Sequence, residues 1–269
     1  MSSKSYPKVT EGFVQHMVIT AYPTGYAGYH NSVIDKKKMK IIFKIALVVL
    51  TGIVTISCNS LKLDDYYYYY PTNTNSTYVY LYVNPNNSEL NEYWKVTSYK
   101  DTQTLLTESY DANFRLYNTF KEKLDKESYK LIEYSEYEYQ GTYADQEIKS
   151  KISDNDVFGF DKEKKYKYAV DYTNSYGKFN FTKERKYLGI ETVEIQNQEY
   201  KVIKFSDKYY ISAIDLNDSY EFEQTTYYAK DVGMVKYERY IPNEETRVLE
   251  LQEVMNEEEF INMMNKSSR

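Results

Sequence analysis

Alternating apolar and polar residues dominate the chain from residue 72 onward and predict β-strands. Stretches rich in Tyr, Val, Ile and Thr are separated by polar turns, at the spacing of about 8–12 residues that is typical of an antiparallel sheet or barrel. The predicted strands are Tyr78–Val83, Tyr93–Tyr99, Thr104–Tyr110, Tyr129–Tyr139, Tyr166–Tyr172, Lys178–Tyr187, Ile190–Ile195, Tyr200–Ser206, Tyr209–Ile214, Tyr220–Tyr228, Met234–Ile241 and Thr246–Glu253. This pattern predicts a mainly β fold, a single curved antiparallel sheet or half-barrel meander with one or two short helices.

The segment Phe114–Lys126 departs from that pattern. Leu116, Phe120 and Leu124 recur every four residues with Lys and Glu between them, which suits one face of a helix. Alternating apolar positions in the same segment also fit a strand, which Asn118 interrupts. We favour the helix here.

Turn and cap residues divide the rest of the domain. Asn197-Gln198 and Asn217-Asp218 are predicted tight turns, and Gly141–Lys165 is a predicted loop. Near the C-terminus, Asn256 is expected to cap a short helix that has Glu257–Glu259 in its first turn, facing the positive end of the helix dipole. The predicted apolar face of this helix consists of Phe260, Ile261, Met263 and Met264.

Residues 36–60 carry a different pattern, a basic run followed by an apolar segment. Met39 opens a conventional signal sequence, with Lys40 and Lys44 in its basic part and Ile45–Ile56 as its apolar part. The apolar part has 12 residues, fewer than the roughly 20 that a membrane span needs. This apolar segment has three competing interpretations: an uncleaved membrane anchor, an ordinary signal peptide and a buried core helix. The third fits worst, because the segment has no amphipathic face.

The end of that segment, Thr55-Ile56-Ser57-Cys58, resembles the lipobox of bacterial lipoproteins. In that family, small residues let the peptidase reach an extended backbone, and the cysteine thiol accepts a diacylglyceryl group before the cysteine becomes the mature N-terminus. Thr55 departs from the family, which usually has Leu, Val or Ile there. The resemblance implies that Cys58 holds the protein in a Gram-negative envelope, at the outer membrane, facing the periplasm or the surface.

This interpretation divides the chain into four parts. Translation is expected to begin at Met39, so that residues 1–38 are a disordered or wrongly assigned leader before a signal peptide at residues 39–57. Residues 58–71 are the expected tether, and residues 72–269 are the expected antiparallel β domain.

Five consecutive tyrosines stand at the end of the tether. Their rings cannot all face a core in either the helical or the strand periodicity. They form either a first strand or an exposed aromatic platform for sugars or lipid headgroups, and we favour the strand. These residues are Tyr66, Tyr67, Tyr68, Tyr69 and Tyr70.

Charge and composition exclude several classes of function. From Cys58 onward the chain has 27 Lys and Arg against 38 Asp and Glu, a formal charge of −11, and we expect no binding to nucleic acid. This part has no histidine and no second cysteine, which excludes Ser-His-Asp triads, thiol nucleophiles and zinc sites built from His and Cys. The common nucleotide-binding motifs are also missing. A carboxylate pair, as in glycoside hydrolysis, remains possible chemically, and we expect no cofactor or metal.

A second resemblance concerns the C-terminal strands. Tyr227–Glu238 (YYAKDVGMVKYE) resembles a motif near the C-terminus of many bacterial envelope lipoproteins of unassigned function, and Tyr69-Tyr70-Pro71 with Tyr78-Val79-Tyr80 looks like the start of such domains. Those proteins have a curved antiparallel sheet similar to lipoprotein-carrier half-barrels, so the resemblance implies a fold rather than a function. Gly233 is expected to adopt a backbone conformation that a Cβ would forbid.

Three functions are compatible with these features. We predict a non-enzymatic lipoprotein whose β domain binds or scaffolds an envelope protein or glycan. The alternatives are a carrier or chaperone that holds an apolar ligand against a concave sheet, and a carboxylate-based glycan hydrolase. A deep apolar cavity would favour the carrier, a cleft with exposed rings and two facing carboxylates would favour the hydrolase, and a filled core would favour a scaffold.

Overall fold

The computed structural model describes residues 66, 74–125, 128–139, 144–159 and 161–267. The predicted leader, the signal peptide and the lipobox lie outside these residues, as does the tether apart from Tyr66. The described chain consists of thirteen strands, two short 3-10 turns and one helix. The strands are β1 (Ser76–Val83), β2 (Glu92–Tyr99), β3 (Thr104–Tyr110), β4 (Leu116–Asp125), β5 (Ser128–Tyr139), β6 (Ala144–Lys149), β7 (Lys151–Gly159), β8 (Lys165–Asn174), β9 (Gly177–Ile195), β10 (Gln198–Ala213), β11 (Asp218–Ala229), β12 (Gly233–Tyr240) and β13 (Arg247–Asn256), and the helix is α1 (Glu257–Ser267).

Twelve of these strands form a closed antiparallel barrel. Each strand pairs with the next one along the chain, except that β6 lies beside β5 on the edge that β7 also uses. The first strand then pairs with the last, from Tyr78 opposite Asn256 to Val83 opposite Glu250. The predicted single curved sheet or half-barrel is therefore wrong, although the mainly β content and the antiparallel meander are correct. The prediction failed because no local pattern reveals a pairing between strands at opposite ends of a chain.

The predicted helix at Phe114–Lys126 is also wrong, since this segment forms β4. Its residues pair with β3 on one edge and β5 on the other, so both edges of the strand satisfy their backbone groups within the sheet. Tertiary pairing overrides the four-residue spacing of Leu116, Phe120 and Leu124. The predicted loop at Gly141–Lys165 is wrong over most of its length, because it contains β6 and β7.

Two predicted pairs of strands are single long strands. Lys178–Tyr187 and Ile190–Ile195 both belong to β9, and Tyr200–Ser206 and Tyr209–Ile214 belong to β10 apart from the last residue. Gly189 has a φ of 140° and lies where the pairing of β9 with β10 shifts register. Such a bulge bends a strand without ending it, which explains why the break in pattern was not a break in structure.

The turns lie at or within one residue of the positions that the sequence predicts. Gln196 and Asn197 have φ values of 53° and 63°, as in a type I′ hairpin turn, so the turn is centred one residue before the predicted Asn197-Gln198. Asn217 is left-handed with a φ of 50°, within the predicted second turn. Gly233 has a φ of 93°, which confirms the expected need for glycine.

The C-terminal helix α1 is capped and packed largely as predicted. Asn256 Oδ1 accepts from the backbone N–H of Glu259 at 3.0 Å, and Glu259 Oε2 accepts from that of Asn256 at 2.9 Å, a reciprocal capping box. Phe260 is only 2 % exposed and packs with Val79, Tyr93 and Met255, while Met263 and Met264 lie at the edge of this cluster. Ile261 is 47 % exposed, so its place on the apolar face was wrong. No helix in the described ranges is long and apolar enough to cross a bilayer.

Large side chains fill the barrel. Eight strands give an interior that ordinary side chains just fill, and the diameter grows with strand number, so a ring of twelve needs longer ones. Tyrosine provides length, and its hydroxyl can find a partner inside, as when Tyr82 donates to the carbonyl of Met234 at 3.0 Å. The largest fully buried side chains on the strands include Tyr80, Tyr82, Tyr166, Tyr237, Phe158, Phe179 and Phe205.

Gly159 gives a test of this packing. A Cβ at Gly159 would overlap the ring of Tyr166, which is held by hydrogen bonds to the backbone of Asp161 at 2.7 and 3.0 Å. Gly159→Ala is therefore expected to lower the free energy of unfolding by about 1–3 kcal/mol, measured by urea denaturation. Asn155→Ala, at an exposed position of the same strand, serves as the control. Equal effects of the two changes would contradict the packing described here.

Candidate functional site

Four polar residues stand side by side on the inner face of neighbouring strands. Arg185 on β9 is opposite Asp207 on β10, Asp207 is opposite Gln224 on β11, and Gln224 is opposite Arg239 on β12. Strand residues two apart share a face. Asp207, Gln224 and Arg239 each lie two positions from a buried aromatic residue of their own strand, namely Phe205, Phe222 and Tyr237. Tyr187, two positions from Arg185, is half-buried.

Asp207 is the centre of this row. Arg185 donates to it through two nitrogens, Nε to Oδ1 at 2.7 Å and a terminal nitrogen to Oδ2 at 2.9 Å. The Nζ of Lys183 is 3.2 Å from Oδ2, and the Thr226 hydroxyl donates to the same oxygen at 3.1 Å. Burial alone would raise the pKa of Asp207, but Arg185 and Lys183 outweigh it and lower the pKa to about 2.

The two cations around Asp207 differ. The guanidinium of Arg185 lies 5.4–5.7 Å from the ring centres of Phe158, Phe205 and Tyr228, which suits its weakly hydrated planar head. The Lys183 side chain is 13 % exposed. Burial and the nearby Arg185 lower the pKa of Lys183 to about 8, although Asp207 opposes this shift.

Arg239 ends the row. Its Nε donates to Gln224 Oε1 at 2.9 Å, and its guanidinium carbon lies 5.5 Å and 5.2 Å from the ring centres of Phe222 and Tyr237. Among the described residues, Arg239 makes no direct ion pair. Burial acts to lower its pKa, but Tyr237 and Glu92 outweigh that effect and hold the pKa above its ordinary value, so this guanidinium stays charged.

The facing wall comes from β2 and β4. Glu92 is buried and accepts hydrogen bonds from Trp94 Nε1 at 2.9 Å and from the Tyr117 hydroxyl at 3.2 Å. Asn118 Oδ1 is buried without a hydrogen-bond partner among the described residues. Such an acceptor is costly unless water or a ligand completes it.

A cavity of about 120 Å³ lies between these walls. Lys183, Arg185, Gln224 and Arg239 line it together with Glu92, Trp94, Asn118 and several aromatic rings. Sites for drug-sized ligands are typically about 300–1,000 Å³, so this cavity is smaller than such a site. The barrel therefore holds a small cavity here, in which charged side chains stand among aromatic rings.

The half-buried carboxyl of Glu136 lies elsewhere in the barrel wall. The Tyr134 hydroxyl donates to Glu136 Oε1. Burial raises the pKa of Glu136 to about 8, although this hydrogen bond acts in the opposite direction. Glu136 is therefore largely protonated at neutral pH, because its charged form is poorly solvated.

The residues predicted from sequence are not those of the cavity. Thr55, Ile56, Ser57 and Cys58 lie outside the described residues, so the lipidation site stays a prediction. The same holds for Tyr67, Tyr68, Tyr69 and Tyr70 of the aromatic platform, while Tyr66 is 5 % exposed and offers no open ring. In the described part of the chain, no group of three or more His, Cys, Asp or Glu could hold a metal ion. The cavity residues were not predicted. Their only signal in the sequence is a polar or charged side chain at an inward-facing position of a strand rich in aromatic residues.

Comparisons with known proteins add fold likeness alone. No protein-family model matches the chain, and neither does any curated protein. A candidate lipoprotein from Parabacteroides distasonis is similar over 70 % of this chain and 98 % of its own, with a TM-score of 0.44 and 12 % identity. A candidate exported protein with a YmcC-like fold from Bacteroides fragilis is similar over 71 % of this chain and 99 % of its own, with a TM-score of 0.45 and 12 % identity. At these values neither likeness carries an argument about function.

Asp207 should be essential for stability. Asp207→Asn keeps the shape but removes the negative charge that compensates Arg185 and Lys183, and leaving buried cations unpaired costs about 3–5 kcal/mol of unfolding free energy. Urea denaturation near neutral pH measures this loss. Glu223→Gln is the control, since it breaks the solvent-exposed pair with Lys208 (3.0 Å) and should cost less than about 1 kcal/mol. Similar losses in both variants would refute the central role of Asp207.

Glu136 should make stability depend on pH. Its pKa is about 8 in the folded protein against an ordinary value of 4.5, so the folded state holds the proton more tightly than the unfolded state. This stabilisation is full below the ordinary pKa and is lost as the pH rises through the folded pKa. Between about pH 5 and about pH 8.5, wild-type protein should lose more unfolding free energy than Glu136→Gln, which has no proton to release. Glu223→Gln should show the wild-type dependence, and an unchanged slope in Glu136→Gln would contradict the assignment.

Proposed function

We propose that this protein is a non-enzymatic lipoprotein of a Gram-negative outer membrane, anchored by a diacylglyceryl group on Cys58, with the barrel as its binding module. The observation that carries the binding role is the cavity of about 120 Å³ whose lining includes Lys183, Arg185, Arg239 and Glu92. Buried charges cost stability unless they are compensated. A barrel whose only task was structural would be expected to fill this space with apolar side chains.

The state of the charged groups supports a binding role over catalysis. Asp207 already accepts from Arg185, Lys183 and Thr226, and Glu92 accepts from two neighbours. Lys183, with its pKa near 8, is the group best suited to proton transfer. It is paired with Asp207, which stabilises its charged form rather than the neutral base.

The two alternatives from sequence fit the cavity poorly. A carrier for an apolar ligand needs a larger and less charged space than the one between Arg185, Arg239 and Glu92. A glycan hydrolase needs two carboxyl groups about 5–10 Å apart across a cleft that admits a sugar chain. Glu92 is the one carboxylate in the lining of this cavity, which weighs against that chemistry.

The anchor and the barrel are compatible in length. Tyr66, which is 5 % exposed, follows Cys58 by eight residues. Such a segment reaches at most roughly 30 Å when fully extended. A barrel on this tether can stand clear of the membrane surface and meet soluble ligands.

Lipid labelling tests the anchor. Wild-type protein expressed in a Gram-negative host should incorporate labelled palmitate, and globomycin should block its processing. Cys58→Ala should incorporate none, because the diacylglyceryl group needs the thiol as its acceptor. Ser57→Ala keeps a small residue before the cysteine and should be labelled like the wild type. Equal labelling of wild type and Cys58→Ala would overturn the proposed anchor.

A further inference from the structure

Three cations and one carboxylate face the barrel cavity, namely Lys183, Arg185, Arg239 and Glu92. Asp207 lies outside the lining but pairs directly with Arg185 and Lys183, so the charges of these two cations are compensated. Arg239 is the cation of the lining that makes no direct ion pair among the described residues. A negative charge is therefore attracted most strongly at Arg239, in surroundings where water screens charges weakly.

Arg239 is the group best placed to hold that charge. Its Nε is taken by Gln224, and the rest of the guanidinium has no acceptor among the described residues. Phe222 and Tyr237 fix the plane of the guanidinium by packing near it. A planar fork with free terminal nitrogens matches a carboxylate with two oxygens.

Asn118 adds a second, independent requirement. Its Oδ1 is a buried acceptor without a donor, and Asn118 lines the same cavity as Arg239. A ligand that carried only a carboxylate would leave this oxygen unsatisfied. A hydroxyl on the ligand would donate to it.

The volume limits the size of the ligand. About 120 Å³ is well below the roughly 300–1,000 Å³ of sites for drug-sized ligands, so the cavity suits a small ligand. A hydroxycarboxylate of two or three carbons is a ligand of this kind. The rings of Trp94, Tyr209 and Phe222 in the lining suit its C–H groups.

We propose that the barrel cavity binds a small hydroxycarboxylate, with its carboxylate on Arg239 and its hydroxyl on Asn118. The inference rests on the proposed function in one respect, that the barrel is a binding module. It does not depend on the lipid anchor.

Titration calorimetry on the full-length protein in detergent tests this inference with lactate as the probe and lactamide as its neutral counterpart. Lactate should bind, and lactamide should bind at least about tenfold more weakly, because the charge-assisted hydrogen bonds to Arg239 are lost. Inorganic phosphate is the third probe. Binding of phosphate without lactate, or equal binding of lactate and lactamide, would overturn the ligand class. Absence of lactate binding at concentrations up to about 10 mM, the range of the weakest specific sites, would overturn the inference as well.

Variants locate the site. Arg239→Gln should weaken lactate binding about tenfold, and Lys208→Gln, at an exposed cation outside the barrel, should leave it unchanged. Because Arg239→Gln could unfold the protein, Asn118→Leu provides a second variant, which should reduce the preference for lactate over propionate. Unchanged lactate binding in a folded Arg239→Gln protein would refute the assignment. Lactate binding without palmitate labelling would refute the anchor alone, and labelling without lactate binding would refute the ligand alone.

Discussion

The need to fill a twelve-stranded ring governs most of this structure. A barrel of this size leaves more interior space than aliphatic side chains can occupy, and unfilled space costs stability. Long side chains with a rigid body and a polar tip suit this space, because the ring fills volume while the tip can bond to the backbone of the barrel, as Tyr82 does with Met234. This explains why 30 of the 34 tyrosines fall after Cys58, and why a residue such as Tyr82 is buried completely.

The same space admits charges in the core. Arginine and lysine are as long as tyrosine, and Arg185 combines packing against three rings with a two-point contact to Asp207. In this setting Asp207 stays ionised despite its burial, since the cations beside it offset the loss of water. Arg239, which is half-buried, lacks such a partner among the described residues. This difference between the two arginines makes one end of the row structural and leaves the other end for the proposed ligand.

The sequence reveals the strands better than it reveals their closure. Alternation placed β1, β2, β3, β5 and β8 with errors of a few residues, and the Asn256 cap located α1. It failed for β4, where Leu116, Phe120 and Leu124 happen to fall at helical spacing although both strand edges are paired. The cavity residues follow the inward phase of their strands, as Asp207 does between Phe205 and Tyr209. Which side of a strand faces inward depends on closure, so a single sequence cannot separate a buried charge from an exposed one.

The pairing of β1 with β13 joins residues that are far apart along the chain, as in Tyr78 and Asn256. The other neighbours in the ring follow one another in sequence, except that β6 lies between β5 and β7 along the chain, and they can assemble through local pairings. β1 can pair with β13 only after β13 has been synthesised, and contacts of such long sequence separation form slowly. Until then, both ring edges are open to pairing with other chains. During this interval the protein is an open sheet with two unpaired edge strands. Its yield in any host will therefore depend on how short the interval is.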